Sequence, residues 1–199
     1  MSELSGKLME AALAYARLGY PVLPCAPGAK TPVTKHGCKD AATDENTIKD
    51  WWTKHPNANV AIATTGLVVV DIDGAENHWL ADQPERQREL AGAAVSLTPG
   101  GGRHHVFRQP AGRAWGNSTG RLAPKVDTRG NGGYIVAPPS VIDGKTYRWA
   151  DGAELALSPK RLPEPPSWLA AILDNGGSAK HQPLAAPAPQ SGTAAECGD

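Results

Sequence analysis

A mixed α+β fold is what the sequence predicts, and three patterns predict it. Apolar residues recur at helical spacing from Leu4 to Leu18. Short β-branched runs are separated by Gly, Pro, Asn and Asp. One such run, Leu67-Val68-Val69-Val70, opens into Asp71-Ile72-Asp73-Gly74. Side chains of a strand alternate, so Asp71 and Asp73 share a face while Val70 and Ile72 point into a core. Two neighbouring carboxylates repel unless a cation lies between them, and paired carboxylate oxygens are the hard ligands that Mg²⁺ or Mn²⁺ prefers. The plainer reading of the same residues is a strand that ends in an Asx-type turn at Asp73-Gly74.

With 199 residues, 40% hydrophobic and 20% charged, the chain has material for one soluble domain or a compact pair of subdomains. Eighteen Pro and 22 Gly against a single Phe imply many turns, so loops are expected to carry function. No apolar run approaches membrane-spanning length and the N-terminus lacks a signal-type apolar core, which predicts a cytoplasmic protein with no membrane partner. Cys25, Cys38 and Cys197 are odd in number and form no CxxC, so small buried thiols are expected rather than a disulfide framework. Zinc on Cys25, His36 and Cys38 would lack a fourth ligand.

A net charge of zero gives no global argument for nucleic acid, but its distribution is uneven. Residues 71–90 hold six acids against two Arg, and residues 100–130 hold five Arg and one Lys against Asp127. Brought together, these segments would set a metal site beside a phosphate-attracting surface; kept apart, they are two solvated faces.

Taken in order, the first element is an amphipathic helix stopped by Gly19. Tyr20–Pro24 is extended, with prolines that suit an edge strand, and leads to a Gly/Pro-pinned loop bearing Lys30, either an anion ligand or a surface lysine. Thr43 is the expected N-cap of a helix whose apolar face is Ile48, Trp51 and Trp52. The Trp pair suits core packing better than base stacking. Val60–Asp73 is expected to form a hairpin, and 76–91 a helix interrupted near Pro84.

Strands follow at 94–97 and 103–108, joined by a turn through Gly100, Gly101 and Gly102 that either cradles phosphate or only bends. By parity His105 shares the face of Phe107, a natural core residue, and His104 the opposite one. Residues 112–124 read as a mobile loop exposing Arg113, Trp115, Asn117 and Arg121. Lys125–Arg129 is a strand with Asp127 and Arg129 on one face; it breaks at 130–133 and continues over 134–137. An Asp143-Gly144 turn then makes a hairpin, and Ser167 caps a closing helix. From Asn175 onward, composition predicts a disordered tail, leaving 1–174 as the folded domain.

Across residues 8–169 these segments resemble the bifunctional DNA primase/polymerase N-terminal (prim-pol) family of the archaeo-eukaryotic primase superfamily. The resemblance rests on their order: Pro-x-x-Pro-Gly-x-Lys-x-Pro around Lys30, Trp51-Trp52 and Pro56 before Asn59, Asp71-x-Asp73, Gly101-Gly102-x-His104, and Asp127-x-Arg129-Gly130 through Gly133-Tyr134 to Ala137-Pro138-Pro139-Ser140. It implies an RRM-like antiparallel catalytic sheet joined to an N-terminal α/β unit. It also implies metal-binding acids at Asp71, Asp73 and Asp127, with His104 near the triphosphate. Lys30, Asn59, Arg129 and Ser140 would be nucleotide or scaffold contacts. His105 departs from the apolar residue expected after the motif His, and no helicase follows, so a helicase partner would be separately encoded.

The implied function is template-directed nucleotidyl transfer of NTP or dNTP to a 3′-OH on single-stranded DNA, with Mg²⁺ or Mn²⁺. Arg103, Arg108, Arg113, Arg121 and Lys125, from the basic segment, would follow the template backbone. Two alternatives compete. One is a catalytically silent nucleic-acid-binding module of a replication or defence complex. The other is a rolling-circle-type replication endonuclease, which needs two His separated by one hydrophobic residue, whereas His104 and His105 are adjacent.

Overall fold

The computed structural model describes residues 3–175; the expected tail lies outside them. Helix α1 (Glu3–Leu18) buries Leu8, Ala12, Tyr15 and Ala16, one stripe at i, i+4, i+7 and i+8, and ends where Gly19 takes a φ of +97°. Helix α2 (Glu45–Lys54) is capped by Asp44, whose carboxylate accepts from Thr47 N at 2.8 Å and from Thr47 Oγ1. The cap therefore falls one residue after Thr43, where an acid also complements the helix dipole. Trp52 is buried and donates from Nε1 to Ala58 O, and half-buried Trp51 packs on the same core. The Trp pair is thus core.

The strands among the described residues are, in order, β1 (Val22–Cys25), β2 (Asn59–Ala63), β3 (Leu67–Ile72), β4 (Ala94–Leu97), β5 (Arg103–Arg108), β6 (Ser118–Ala123), β7 (Val126–Arg129), β8 (Tyr134–Val136), β9 (Val141–Ile142), β10 (Lys145–Thr146) and β11 (Arg148–Trp149). All pairings are antiparallel. A three-stranded sheet, β1-β2-β8, packs with α1 and α2 as an N-terminal unit. A six-stranded sheet runs β11-β4-β5-β3-β7-β6. Helix α3 (Pro84–Leu90) and helix α4 (Ser167–Asp174) contribute Leu90, Leu169 and Leu173 to a second core with Val68, Val70 and Phe107, on the far face of that sheet.

Several expectations are corrected. Val60–Asp73 is not a hairpin: β2 lies between β1 and β8, whereas β3 lies between β5 and β7 in the other sheet. Helix in 76–91 is confined to Pro84–Leu90, with proline at the first turn. The strand break at 130–133 is a crossing, because β7 belongs to the large sheet and β8 to the small one. Residues 112–124 are not a simple loop: 118–123 form edge strand β6, and Trp115 is buried at 6% exposure, its Nε1 donating to Asp174. Asn117 is half-buried and accepts from Gly130 N. Ser167 makes no capping bond; α4 starts after Pro166. The Asp143-Gly144 turn forms as expected, with φ of +48° and +72° between β9 and β10.

Candidate active site

Strand register builds the site. Asp71 on central β3 stands directly opposite His104 on β5 and opposite Asp127 on β7, so the three side chains form a row across the sheet. All are buried, at 2% to 3% exposure. His104 Nε2 lies 3.4 Å from Asp71 Oδ1. Arg129 shares the parity of Asp127 and reaches its Oδ2 at 2.9 Å and Asp71 Oδ2 at 3.9 Å. Asp127 Oδ1 also accepts from Gly120 N at 2.8 Å. Asp73, half-buried just past the strand, is tied by its own N–H to Lys125 O.

The electrostatics divide the acids. Burial pushes the Asp71 carboxyl up, but His104, Arg129 and Lys30 together outweigh it and hold it below its ordinary value. Asp73 is raised, by burial first and then by repulsion from Asp71 and Asp127. Lys30 is lowered by burial against the pull of Asp71 and Asp73, so its loop brings it within electrostatic reach of both acids. Hard carboxylate oxygens that repel one another are a donor set suited to Mg²⁺ or Mn²⁺. Among the described residues no three His, Cys, Asp or Glu groups are already gathered as a closed metal cluster. Asp127 is instead engaged by Arg129 and Gly120.

Buried polar atoms without partners mark where a ligand would be received. Among the described residues these are Ser96 Oγ, His104 Nδ1 and Arg129 Nε. Ser96 on β4 pairs in register with His104 and extends this row, and Arg129 lies beside it, two residues from Asp127 on the same face of β7. Each unpaired buried group costs about 1–3 kcal/mol. Sequence reasoning missed Ser96, because nothing local marks its strand partner. It also missed Tyr147, whose ring lies 6.0 Å from that of His104 and whose hydroxyl pKa is raised by burial and by Asp71 and Asp73.

The glycine turn serves close approach. A Cβ on Gly102 would collide with Ile72 O, so only glycine lets this turn pack against the end of β3. Asn59 and Ser140 have their side chains occupied by the scaffold. Asn59 donates to Ala29 O and Val141 O and accepts from Val141 N, and Ser140 Oγ bonds both polar groups of the Val60 backbone. They hold the Lys30 loop and the start of β9 against β2.

The basic candidates separate. Arg108, on the His104 face of β5, pairs with Glu164, and Arg113 pairs with Asp174 of α4, both at 2.8 Å. Arg103 has the parity of His105 and faces the same far side. Arg121 and Lys125 are exposed around the β6–β7 turn, whose Lys125 carbonyl binds Asp73 N.

His105 is buried, its Nδ1 donating to Leu90 O at 3.1 Å. Desolvation lowers its pKa to about 4. The reading of Cys25, His36 and Cys38 as a zinc set gains no support from the described residues; Cys25 is a buried thiol raised to about 12 by burial. No helix among the described residues is long and apolar enough to cross a membrane.

The sequence matches the family model Prim-Pol, described as bifunctional DNA primase/polymerase, N-terminal, over residues 12–168. No curated protein matches it.

Proposed function

The chain belongs to the Prim-Pol family of bifunctional DNA primase/polymerase N-terminal domains, and from that premise we propose that it joins NTP or dNTP to a 3′-OH on a single-stranded DNA template. The observation that carries this reading is the row Asp71, His104 and Asp127 across three adjacent strands, flanked by Asp73, Arg129 and Lys30. In the reaction the hydroxyl oxygen bonds to the α-phosphorus, its proton is released, and the bond to the bridging oxygen breaks to free pyrophosphate.

Asp71, Asp73 and Asp127 would hold Mg²⁺ or Mn²⁺, which supplies a lowered hydroxyl pKa and neutralises charge on the phosphates. The chain's own residues do the rest. His104 and Arg129 each carry a buried nitrogen without a partner, and donors preset in a dry site stabilise phosphate charge without reorganisation. Lys30 adds a cation on a loop fixed by Asn59, which positions the nucleotide. Lys125, exposed beside Asp73, and Arg121, exposed on edge strand β6, are the cations best disposed to meet template backbone.

The test is incorporation of labelled nucleotide on single-stranded DNA, with and without primer, in Mg²⁺ and in Mn²⁺. Asp71→Asn, Asp73→Asn and Asp127→Asn are each expected to abolish it while the far-UV spectrum is kept. Activity within a few-fold of wild type in any of them removes that residue from the metal set. DNA binding with no incorporation under any of these conditions would favour the silent module.

A further inference from the structure

A cavity of about 500 Å³ lies behind the strands that carry Asp71 and His104, on the α3 side of the large sheet. Its polar lining includes His78, Arg88, Arg103 and His105, and none of its lining residues is Asp or Glu. The segment that encloses it is acidic in sequence, with six acids against two Arg over residues 71–90. The fold sorts these charges. Glu76, Asp82, Glu85 and Glu89 lie outside the lining, whereas Arg88 and Arg103, themselves solvent-exposed, belong to it; Glu89 accepts from Trp168 Nε1 at 2.7 Å. Arg108 and Arg113 carry acidic partners, but Arg88 and Arg103 have none among the described residues.

The remaining lining includes Asn77 and Gln87, whose side-chain amides bond backbone groups, and apolar Ile72, Leu80 and Leu90 beside the indole of Trp79. His105 uses Nδ1 on Leu90 O, which leaves Nε2 as the ring's other polar atom at the cavity wall. Small-molecule sites commonly measure roughly 300–1,000 Å³ and combine an apolar lining with a few fixed polar groups. Two guanidinium groups without carboxylates are suited to phosphate, and an indole beside aliphatic side chains is suited to an aromatic base.

We propose that this cavity binds a nucleoside phosphate, with the phosphate against Arg88 and Arg103 and the base against Trp79 and Leu80. The site is separate from the row on the opposite face and does not depend on the reaction proposed there. Its floor residues Ile72 and His105 alternate along the chain with Asp71, Asp73 and His104, so an occupant touches the reverse side of the same two strands.

The experiment is a titration with AMP in EDTA, followed by ¹H–¹⁵N correlation of the Trp79 indole and His105 ring, with inorganic phosphate and adenosine as separate arms. AMP is expected to shift both resonances saturably and to bind more tightly than either part alone. Arg88→Glu, and Ala91→Trp as a substitution that fills the cavity, are each expected to weaken AMP by roughly tenfold or more while the rest of the spectrum is retained. Absence of saturable shifts overturns the proposal. So does phosphate that matches AMP, or AMP binding that is unchanged in both variants.

Discussion

His104 and His105 are consecutive residues on opposite sides of a sheet, and their different surroundings make their roles separable. His104→Ala removes a donor beside Asp71, and kcat/KM for incorporation should fall roughly 10–1000-fold, equivalent to about 1.4–4 kcal/mol. Steady-state kinetics below the melting transition check this; wild-type kcat/KM would remove His104 from the site. His105 affects acid stability instead. Its folded pKa of about 4 lies below the unfolded value of 6.5, so the unfolded chain takes the proton first. Its contribution is intact above pH 6.5 and is lost as pH falls toward 4, approaching about 3 kcal/mol. In His105→Gln the decline of urea midpoint between pH 7 and pH 4.5 should be shallower than in wild type. Asp73 has the opposite consequence. Its raised pKa means that its ionised form is disfavoured by the fold at neutral pH, so Asp73→Asn should raise the metal-free melting temperature at pH 7 while abolishing incorporation. These parities were legible from the alternation of β5 and the single Phe. Ser96 was not, since an orphaned hydroxyl is recognised only when its cross-strand neighbour is known.

At the scale of elements, the site depends on two close fits. Asn59→Ala would remove three hydrogen bonds that join β2, the Lys30 loop and β9, and leave Val141 N–H and two carbonyls in need of partners. A loss of about 1–3 kcal/mol in chemical denaturation is expected, with a raised KM for nucleotide as the loop loosens. An unchanged urea midpoint would mean that water replaces the side chain without cost. Gly102→Ala would drive a Cβ into Ile72 O and push the turn away from the end of β3, so stability and incorporation should fall together. Most element types were legible from periodicity and turn residues. The hairpin expected over Val60–Asp73 fails because alternation encodes which face of a strand is buried and says nothing of its partner. Thr64, Thr65 and Gly66 turn the chain out of one sheet and into the other, held by Thr64 Oγ1 on Gly130 O and Gly66 N on Asn131 Oδ1.

For the whole molecule, the arrangement of charge matters more than its total of zero. The basic segment 100–130 does not form one continuous surface: Arg108 and Arg113 are bound to acids, Arg103 faces the rear cavity, Arg121 is exposed on edge strand β6, and Lys125 is exposed beside Asp73. Arg121→Gln and Lys125→Gln should therefore each weaken single-stranded DNA binding and lower the slope of log K against log salt by roughly 0.7. Arg113→Gln should lower the melting temperature through its α4 contact and leave that slope alone. Fluorescence titrations at several salt concentrations separate the two; equal slope changes in all three would restore the continuous strip. The sequence by itself determined most of the elements, the strand that delivers Asp71 and Asp73, the faces of His104 and His105, and the order of motifs that marks the family. These are local or periodic properties, written in side-chain alternation and turn chemistry. Only the tertiary structure decided that Asp127, His104 and Ser96 align on one row, that Trp115 is core, and that Arg88 and Arg103 converge behind the sheet. Those facts depend on register and on contacts between residues far apart in the chain, which no local pattern carries.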